Sequence, residues 1–430
     1  MSRVVDVDVV DVRFPTSETL DGSDAMNPDP DYSAAYLRVA TDAADGCEGH
    51  AFVFTIGRGN DLQAEAVRGI ARRLVGQEVE PLLERMGRTS RDLVGDSQLR
   101  WLGPEKGVVH MAIGAVLNAL WDLKAKRAGM PLWRLLARMS PDELVEIVDF
   151  RYLTDALTRA EAREILERAL PGRAERERTL LAEGYPAYTT SPGWLGYSDE
   201  KLETLCREAL DEGFPLIKLK VGASLDDDVR RLAIARRVCG EGFPIAIDAN
   251  QRWDVDDAVE WIRALAPFEP YWVEEPTFPD DVVAHAEIAR RVAPVRIATG
   301  EHSPNRVNVK QLLQLGAIGV VQIDATRVAG VGENVANLLL AAKFGVPVCP
   351  HAGGVGLCEA VQHLAMFDFV AVSGTMEGRR IEYVDHLHEH FVSPVVVRDG
   401  RYAAPLAAGA GMEMLPASIR EHTWGSDALV

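Results

Sequence analysis

The sequence is poor in the features that would tie it to nucleic acid, a membrane or an oxidising compartment. Basic residues are in the minority. There are 46 Lys and Arg against 65 Asp and Glu, for a net charge of −19, and such a surface repels phosphate backbones and anionic lipid. A small anion is not excluded, because a cation and a few lysines can reverse the field locally. Cysteine is scarce: Cys47, Cys206, Cys239, Cys349 and Cys358 are odd in number and show no C-x-x-C spacing, which suits idle thiols in a reducing compartment. No apolar run approaches the roughly 20 residues that span a bilayer. The opening MSRVVDVDVVDVRF alternates Val with Asp and Arg as a strand does, unlike a signal peptide. A soluble, cytoplasmic protein with a small-molecule partner is expected, assembled as a homo-oligomer.

With 430 residues and 47% hydrophobic content, the chain can bury a large domain and a smaller one. A strand, a polar loop (TSETLDGSDAMNPDPDYSAAY) and a second strand (YLRVATDA) open it. So long a connection between strands is often functional. A helix is predicted from Val108 to Leu136, interrupted at Gly129 and Pro131. After Ser191 short apolar runs alternate with charged helical stretches, the pattern of βαβ units and a parallel sheet. The polar residues closing these runs are evenly spaced: Lys218 to Asp248 is 30 residues, then 26 to Glu274, 27 to Glu301, 23 to Asp324, 27 to His351 and 31 to Glu382. Each step holds one strand, one helix and two loops, so an eight-stranded (β/α) barrel is expected. Either VEIVDF or YPAYTTS can open it.

In such a barrel the strand ends carry the site. Asp248, Glu274 and Glu301 close successive strands, within IDAN, VEEP and ATGE, and three converging carboxylates need a cation. An all-oxygen set favours Mg²⁺. Lys218 and Lys220 flank Leu219 and share the inner face of a strand. Each lowers the other's pKa, so one can be a neutral base. His351, in VCPHAGG, neighbours Asp324, which can fix its tautomer and stabilise the imidazolium of a general acid. Glu382 is a candidate for contacting substrate, and Asn250, on the face of Asp248, for hydrogen-bonding it. His386, His388 and His390 lack the spacing of a metal motif, lie beyond the strand end and are assigned a packing or surface role. The glycines of HAGGVGLCE and RVAGVGEN do not form a dinucleotide fingerprint.

The order K-x-K, D, E, E, then a D/H pair resembles the enolase superfamily in its mandelate racemase-like branch. More narrowly, FPTSETLDGSDAMNPDPDYSAAYLRV, LRWLGPEKGVVHMAIGAVLNALWDL, GYPAYTTSPGWLGYSD, DANQRWDV, CPHAGGVGLCE and EYVDHLHEHF are similar to the L-fuconate dehydratases. The resemblance implies a modified TIM barrel (146–395) with an α+β capping domain (1–145), completed by a C-terminal segment (396–430) that returns to the cap. It also implies Mg²⁺ on Asp248, Glu274 and Glu301, Lys220 as base, and His351 as acid supported by Asp324. The activity implied is loss of water from a sugar acid. Substrate choice is expected in the cap loop, with Asp24 as the reading residue unless it merely caps a turn within GSDAMNP.

Overall fold

A computed structural model describes residues 2–425, so positions 426–430 of the C-terminal segment lie outside the described residues. The Val/Asp alternation at the start becomes strand β1 (Val4–Arg13), with Val9 and Val12 turned into the core. It pairs antiparallel with β2 (Ser33–Thr41), setting Val12 against Ala34 and Asp8 against Arg38. β2 in turn pairs antiparallel with β3 (Gly49–Thr55). The polar segment between β1 and β2 is thus a loop at one end of a three-stranded sheet.

The long helix runs Gly107–Arg127, and a second, Leu132–Arg138, follows the break at Gly129 and Pro131. Contrary to expectation, the first is long and apolar enough to cross a membrane by length and composition, but its apolar window is 83% buried inside the protein. Its polar groups are satisfied there. Asp122 accepts hydrogen bonds from the main chain of His50 (2.9 Å) and Ala410 (2.7 Å), and Asn118 donates to the Ala325 carbonyl (2.9 Å). It is a core helix.

The barrel strands are β4 (Tyr185–Thr189), β5 (Ile217–Lys220), β6 (Ile245–Asp248), β7 (Pro270–Glu274), β8 (Ile297–Thr299), β9 (Val320–Val321) and β10 (Ile381–Tyr383), all paired in parallel. YPAYTTS therefore opens the barrel. VEIVDF instead ends the helix Pro141–Ile147, which starts in a Ser140/Glu143 capping box. The expected seventh strand shrinks to one bridge, Val348 to Val321. Pro347 and Pro350 have no N–H to give a ladder, although His351 N–H still reaches the Ile323 carbonyl (3.0 Å) and Pro350 accepts from Glu382 N–H (3.2 Å). The charged stretch before β4 forms the helices Arg159–Ala169 and Arg173–Glu183.

The C-terminal segment does not go straight to the cap. Strands β11 (Val397–Arg398) and β12 (Arg401–Tyr402) first form an antiparallel ribbon on β4. Beyond them Met414 N–H donates to Tyr36 Oη (3.2 Å), and Thr423 bridges to Val12 in the cap. Cap and barrel meet closely: a Cβ on Gly114 would stand 2.2 Å from the Val328 carbonyl oxygen, and one on Gly354 2.5 Å from the Phe54 ring. Only glycine permits either approach.

Candidate active site

Strand alternation builds the site in layers. The barrel floor is apolar, made by Tyr188, Leu216, Ala246, Trp272, Ala298, Val320 and Cys349. Two residues further along the same segments come Thr190, Lys218, Asp248, Glu274, Gly300, Gln322 and His351. One more step brings Lys220, Asn250 and Asp324. Gly300 follows β8 at φ 147°, and a Cβ there would strike the Gln322 carbonyl oxygen at 2.4 Å.

One oxygen each from Asp248, Glu274 and Glu301 lies within 4.8 Å of the others, and all three residues are buried. Burial and the Asp248 charge push Glu274 well above the ordinary carboxylate range, in spite of Lys218. Glu301 keeps an enclosed Oε2 with no hydrogen-bond partner among the described residues. All-oxygen donors, surplus negative charge and an orphaned carboxylate oxygen fit a hard divalent cation. Glu275 and His302 extend the cluster: His302 Nδ1 pairs with Glu275 Oε1 at 2.9 Å. Against the cost of burial, Glu275 and Glu301 push this imidazole up to about 10.

The two lysines occupy different places. Lys218 is fully buried among Glu274 (2.6 Å), Glu382 (2.9 Å) and Asp248 (3.4 Å), and against burial these acids hold its pKa well above the ordinary value. Lys220 meets Asp248 at 2.6 Å, with its ammonium 5.3 Å from the Trp194 ring centre. Burial and, as expected, Lys218 lower its pKa, but Asp248, Glu301 and Asp24 together outweigh them, and the group lies above its ordinary range. A cation drawing on the Asp248 charge would shift this balance toward the neutral amine.

His351 Nδ1 hydrogen-bonds Asp324 Oδ2 at 2.9 Å, and its Nε2 stands 3.7 Å from Glu301 and 4.0 Å from Glu382. Against burial, Glu301 and the Asp324 bond raise its pKa, which favours imidazolium. Asp324 is itself fixed by the main-chain N–H of Thr326 (2.6 Å) and Arg327 (2.9 Å). Glu382 accepts from Thr190 and from the N–H groups of Ala352 (2.9 Å) and Gly353 (3.2 Å). Against burial, Lys218 and His351 bring its pKa down to about 2.

These groups share a cavity of about 250 Å³ under the cap. Lys220, Asn250, Glu301, His351 and Glu382 come from the barrel, and Asp24, Asn27, Tyr32, Phe54, Ile56 and Arg58 from the cap. Lys218 is not in its wall. Asn250, at φ 45°, offers an enclosed Oδ1 without a hydrogen-bond partner among the described residues. Asp24 lines the cavity, but its Oδ1 already accepts from the N–H groups of Met26 and Asn27, both at 2.7 Å, so the turn-capping alternative describes its bonds. Sequence reasoning missed Trp194, Thr190, His302 and Tyr32. Thr190 sits in the TTS that closes the first strand, and His302 directly follows Glu301, so both carried a positional signal. The three histidines of DHLHEH pack as expected: His386 on Tyr32, His388 on Tyr383 and His390 on Phe14.

Residues 201–418 match the family described as enolase C-terminal domain-like, and 26–137 match the mandelate racemase / muconate lactonizing enzyme N-terminal domain. Mitochondrial enolase superfamily member 1 of Homo sapiens is 51% identical over 424 residues, covering 98% of this chain and 96% of that one. Its crystal structure agrees with a TM-score of 0.97 at 50% identity, over 99% and 97% of the two chains. L-galactonate dehydratase of Hypocrea jecorina is 49% identical, covering 96% of this chain and 92% of that one. The structure of L-talarate/galactarate dehydratase from Salmonella typhimurium, liganded with Mg and L-lyxarohydroxamate, is more distant. It has a TM-score of 0.74 at 25% identity, over 98% and 93% of the chains.

Proposed function

The chain belongs to the enolase superfamily, and on that premise we propose that it is a magnesium-dependent sugar-acid dehydratase acting on L-fuconate. One observation carries the reading: Lys220 and His351 line a single cavity at opposite ends of the Asp248, Glu274 and Glu301 trio. A proton can be removed at one end and delivered at the other.

Mg²⁺ would be held by Asp248, Glu274 and Glu301, and when bound it supplies electrophilic stabilisation of the substrate carboxylate, which makes the adjacent C–H acidic. Lys220, as the free amine, takes the C2 proton. The electron pair left on C2 forms the C2–C3 double bond as the C3–O bond breaks, and His351 Nε2 gives its proton to the departing hydroxyl, which leaves as water. The enol then gains a proton at C3 and loses one from oxygen, giving 2-keto-3-deoxy-L-fuconate. Asp324 holds the imidazole in place through Nδ1, and Lys218 offsets the charge of the carboxylates beneath the cavity. The Asp324 bond favours the imidazolium form, which supports an acid here rather than the second base that epimerisation needs.

L-Galactonate differs from L-fuconate only by a hydroxyl at C6. The cap wall places Pro30, Phe54, Ile56 and Met111 at the cavity, an apolar group that suits the C6 methyl. The test is a panel of sugar acids assayed for 2-keto acid with Mg²⁺ present. L-Fuconate is expected to be turned over with a higher kcat/KM than L-galactonate. Formation of an epimer without any 2-keto acid, or no reaction with any sugar acid, would overturn the proposal.

A further inference from the structure

Lys220 ends β5 on the side where the barrel ladder is thinnest. β5 pairs with β6 along its whole length, Ile217 through Lys220, but with β4 only at Ile217, opposite Thr189. Beyond that pair the turn Ser191–Gly193 comes in over β5, so closely that a Cβ on Gly193 would stand 2.0 Å from the Lys218 carbonyl oxygen. The chain then delivers Trp194 to the cavity wall, its ring centre 5.3 Å from the Lys220 ammonium. Among the described residues, strand pairing does not fix Trp194 against Lys220.

One side chain spans the gap. Arg231, on the helix Leu225–Cys239, is 2% exposed. Its Nη1 donates to the carbonyl of Lys220, and its Nη2 to the carbonyls of Gly193 (2.8 Å) and Trp194 (3.1 Å). Among the described residues all its hydrogen bonds go to main chain, and no carboxylate pairs with it. Asp228, three residues earlier on the same helix, is occupied elsewhere: its Oδ2 takes the Gly222 N–H (2.8 Å) and Trp261 Nε1 (2.9 Å). A buried guanidinium without an ionic partner is costly, and burial lowers its pKa. An apolar side chain would fill the same space more cheaply. What it would lack is the planar fork, which ties two separate stretches of backbone together.

Resting on the dehydratase reading, we propose that Arg231 is a positioning residue for the proton transfer. Its fork clamps the end of β5 to the Gly193–Trp194 main chain and so sets Lys220 Nζ against the Trp194 ring, where the C2 proton is taken. Arg231 is not in the cavity wall and acts only through these two residues. Trp194 bounds the space open to the amine, so a shift of either main chain turns Nζ away from the C2–H bond.

The test compares Arg231→Met, which keeps most of the side-chain volume without donors, with Arg231→Lys, which keeps a charged donor without the fork. Kd for Mg²⁺ and for L-fuconate is read by calorimetry, kcat by 2-keto acid formation, and C2 exchange with solvent deuterium by NMR. A crystal structure of each variant gives the placement of Lys220 and Trp194. In Arg231→Met, kcat and C2 exchange should fall together by roughly 10²-fold, the cost of a misplacement of about 1 Å, with both Kd values unchanged. The Trp194 ring should no longer stand 5.3 Å from Lys220 Nζ. Arg231→Lys should recover part of the loss, and it carries the same readouts if Arg231→Met does not fold. Weakened binding of Mg²⁺ and L-fuconate with kcat unchanged, or variants in which Lys220 and Trp194 keep their places, overturns the proposal. If the unaltered protein makes no 2-keto acid from any sugar acid, the dehydratase reading fails, and the crystal structures still decide whether Arg231 sets the Lys220–Trp194 geometry.

Discussion

Two buried ionic clusters in this protein look alike in composition and differ in how completely they are satisfied. One joins cap to barrel. Glu333 Oε2 meets His110 Nε2 (2.7 Å) and the Ala329 N–H (2.8 Å), while Oε1 takes the main chain (2.9 Å) and guanidinium (3.1 Å) of Arg306. Arg306 spends its remaining donors on Glu105 (2.6 Å) and the carbonyls of Asp149 (2.9 Å) and Arg151 (3.3 Å). The other cluster is the strand-end set, where Glu301 Oε2, Asn250 Oδ1 and both amide atoms of Gln322 lack hydrogen-bond partners among the described residues. A saturated cluster is a fastening. A cluster with surplus charge and open lone pairs is stable only in company, which marks it as a place for ligands.

The comparison breaks hardest at the ligand site. Stripping divalent metal with a chelator should bring dehydration to background, and added Mg²⁺ should restore it. Lys220→Ala should cost roughly 10³-fold or more in turnover and also abolish exchange of the C2 hydrogen with solvent deuterium, read by NMR. His351→Asn should lose dehydration but keep slow C2 exchange. A His351→Asn enzyme that dehydrates normally would remove the histidine from its assignment as acid.

Glutamine substitutions then separate the two clusters by stability. Glu333→Gln removes one carboxylate facing buried Arg306, with Glu105 remaining, and the charge facing His110, and should destabilise by about 1.5–3 kcal/mol in urea titration. Glu274→Gln removes a charge that its surroundings disfavour. It should leave stability in chelator unchanged or raised, while weakening Mg²⁺ binding. The pH dependences should be opposite. Against burial, His110 and Arg306 hold Glu333 below its ordinary value of 4.5. Its stabilisation is therefore full above that pH and is lost as pH falls below it, and Glu333→Gln should flatten the acid limb. Glu274 is raised, so its contribution is full below about pH 4.5 and declines as pH rises. Stability curves of equal slope for the two variants would show that the two clusters do not differ in this way.

The strand-end chemistry was readable in the sequence because the repeat length is physical. One strand, one helix and two loops consume a near-constant number of residues, so Asp248, Glu274, Glu301 and Asp324 announced themselves by interval. Alternation placed Lys218 and Lys220 on one face, but not at different depths, because depth is set by barrel closure. The seventh strand kept its interval to His351 and lost its ladder to Pro347 and Pro350. VEIVDF is apolar enough for a strand, although the S-P-D-E before it spelled a helix cap. Tyr32 was not readable at all: its contacts to Phe54, Gly22 and His386 come from three separate segments, and nothing local marks it.

The smallest expected effect concerns Asp24. Its carboxylate ties Met26 and Asn27 into the turn of the cap loop, so its role runs through loop shape. Asp24→Ala should loosen that turn and lower kcat/KM by about fivefold, corresponding to about 1 kcal/mol of lost hydrogen bonding. Because the loop covers every substrate alike, L-fuconate and a shorter sugar acid should suffer equally. Asp24→Asn keeps an acceptor for the two N–H groups and should recover most of the loss. If Asp24→Ala instead penalises L-fuconate selectively and Asp24→Asn does not recover it, the carboxylate itself reads the substrate. The Oδ2 lone pair not taken by Asn27 Nδ2, rather than the turn, would then be what the cap presents to the sugar.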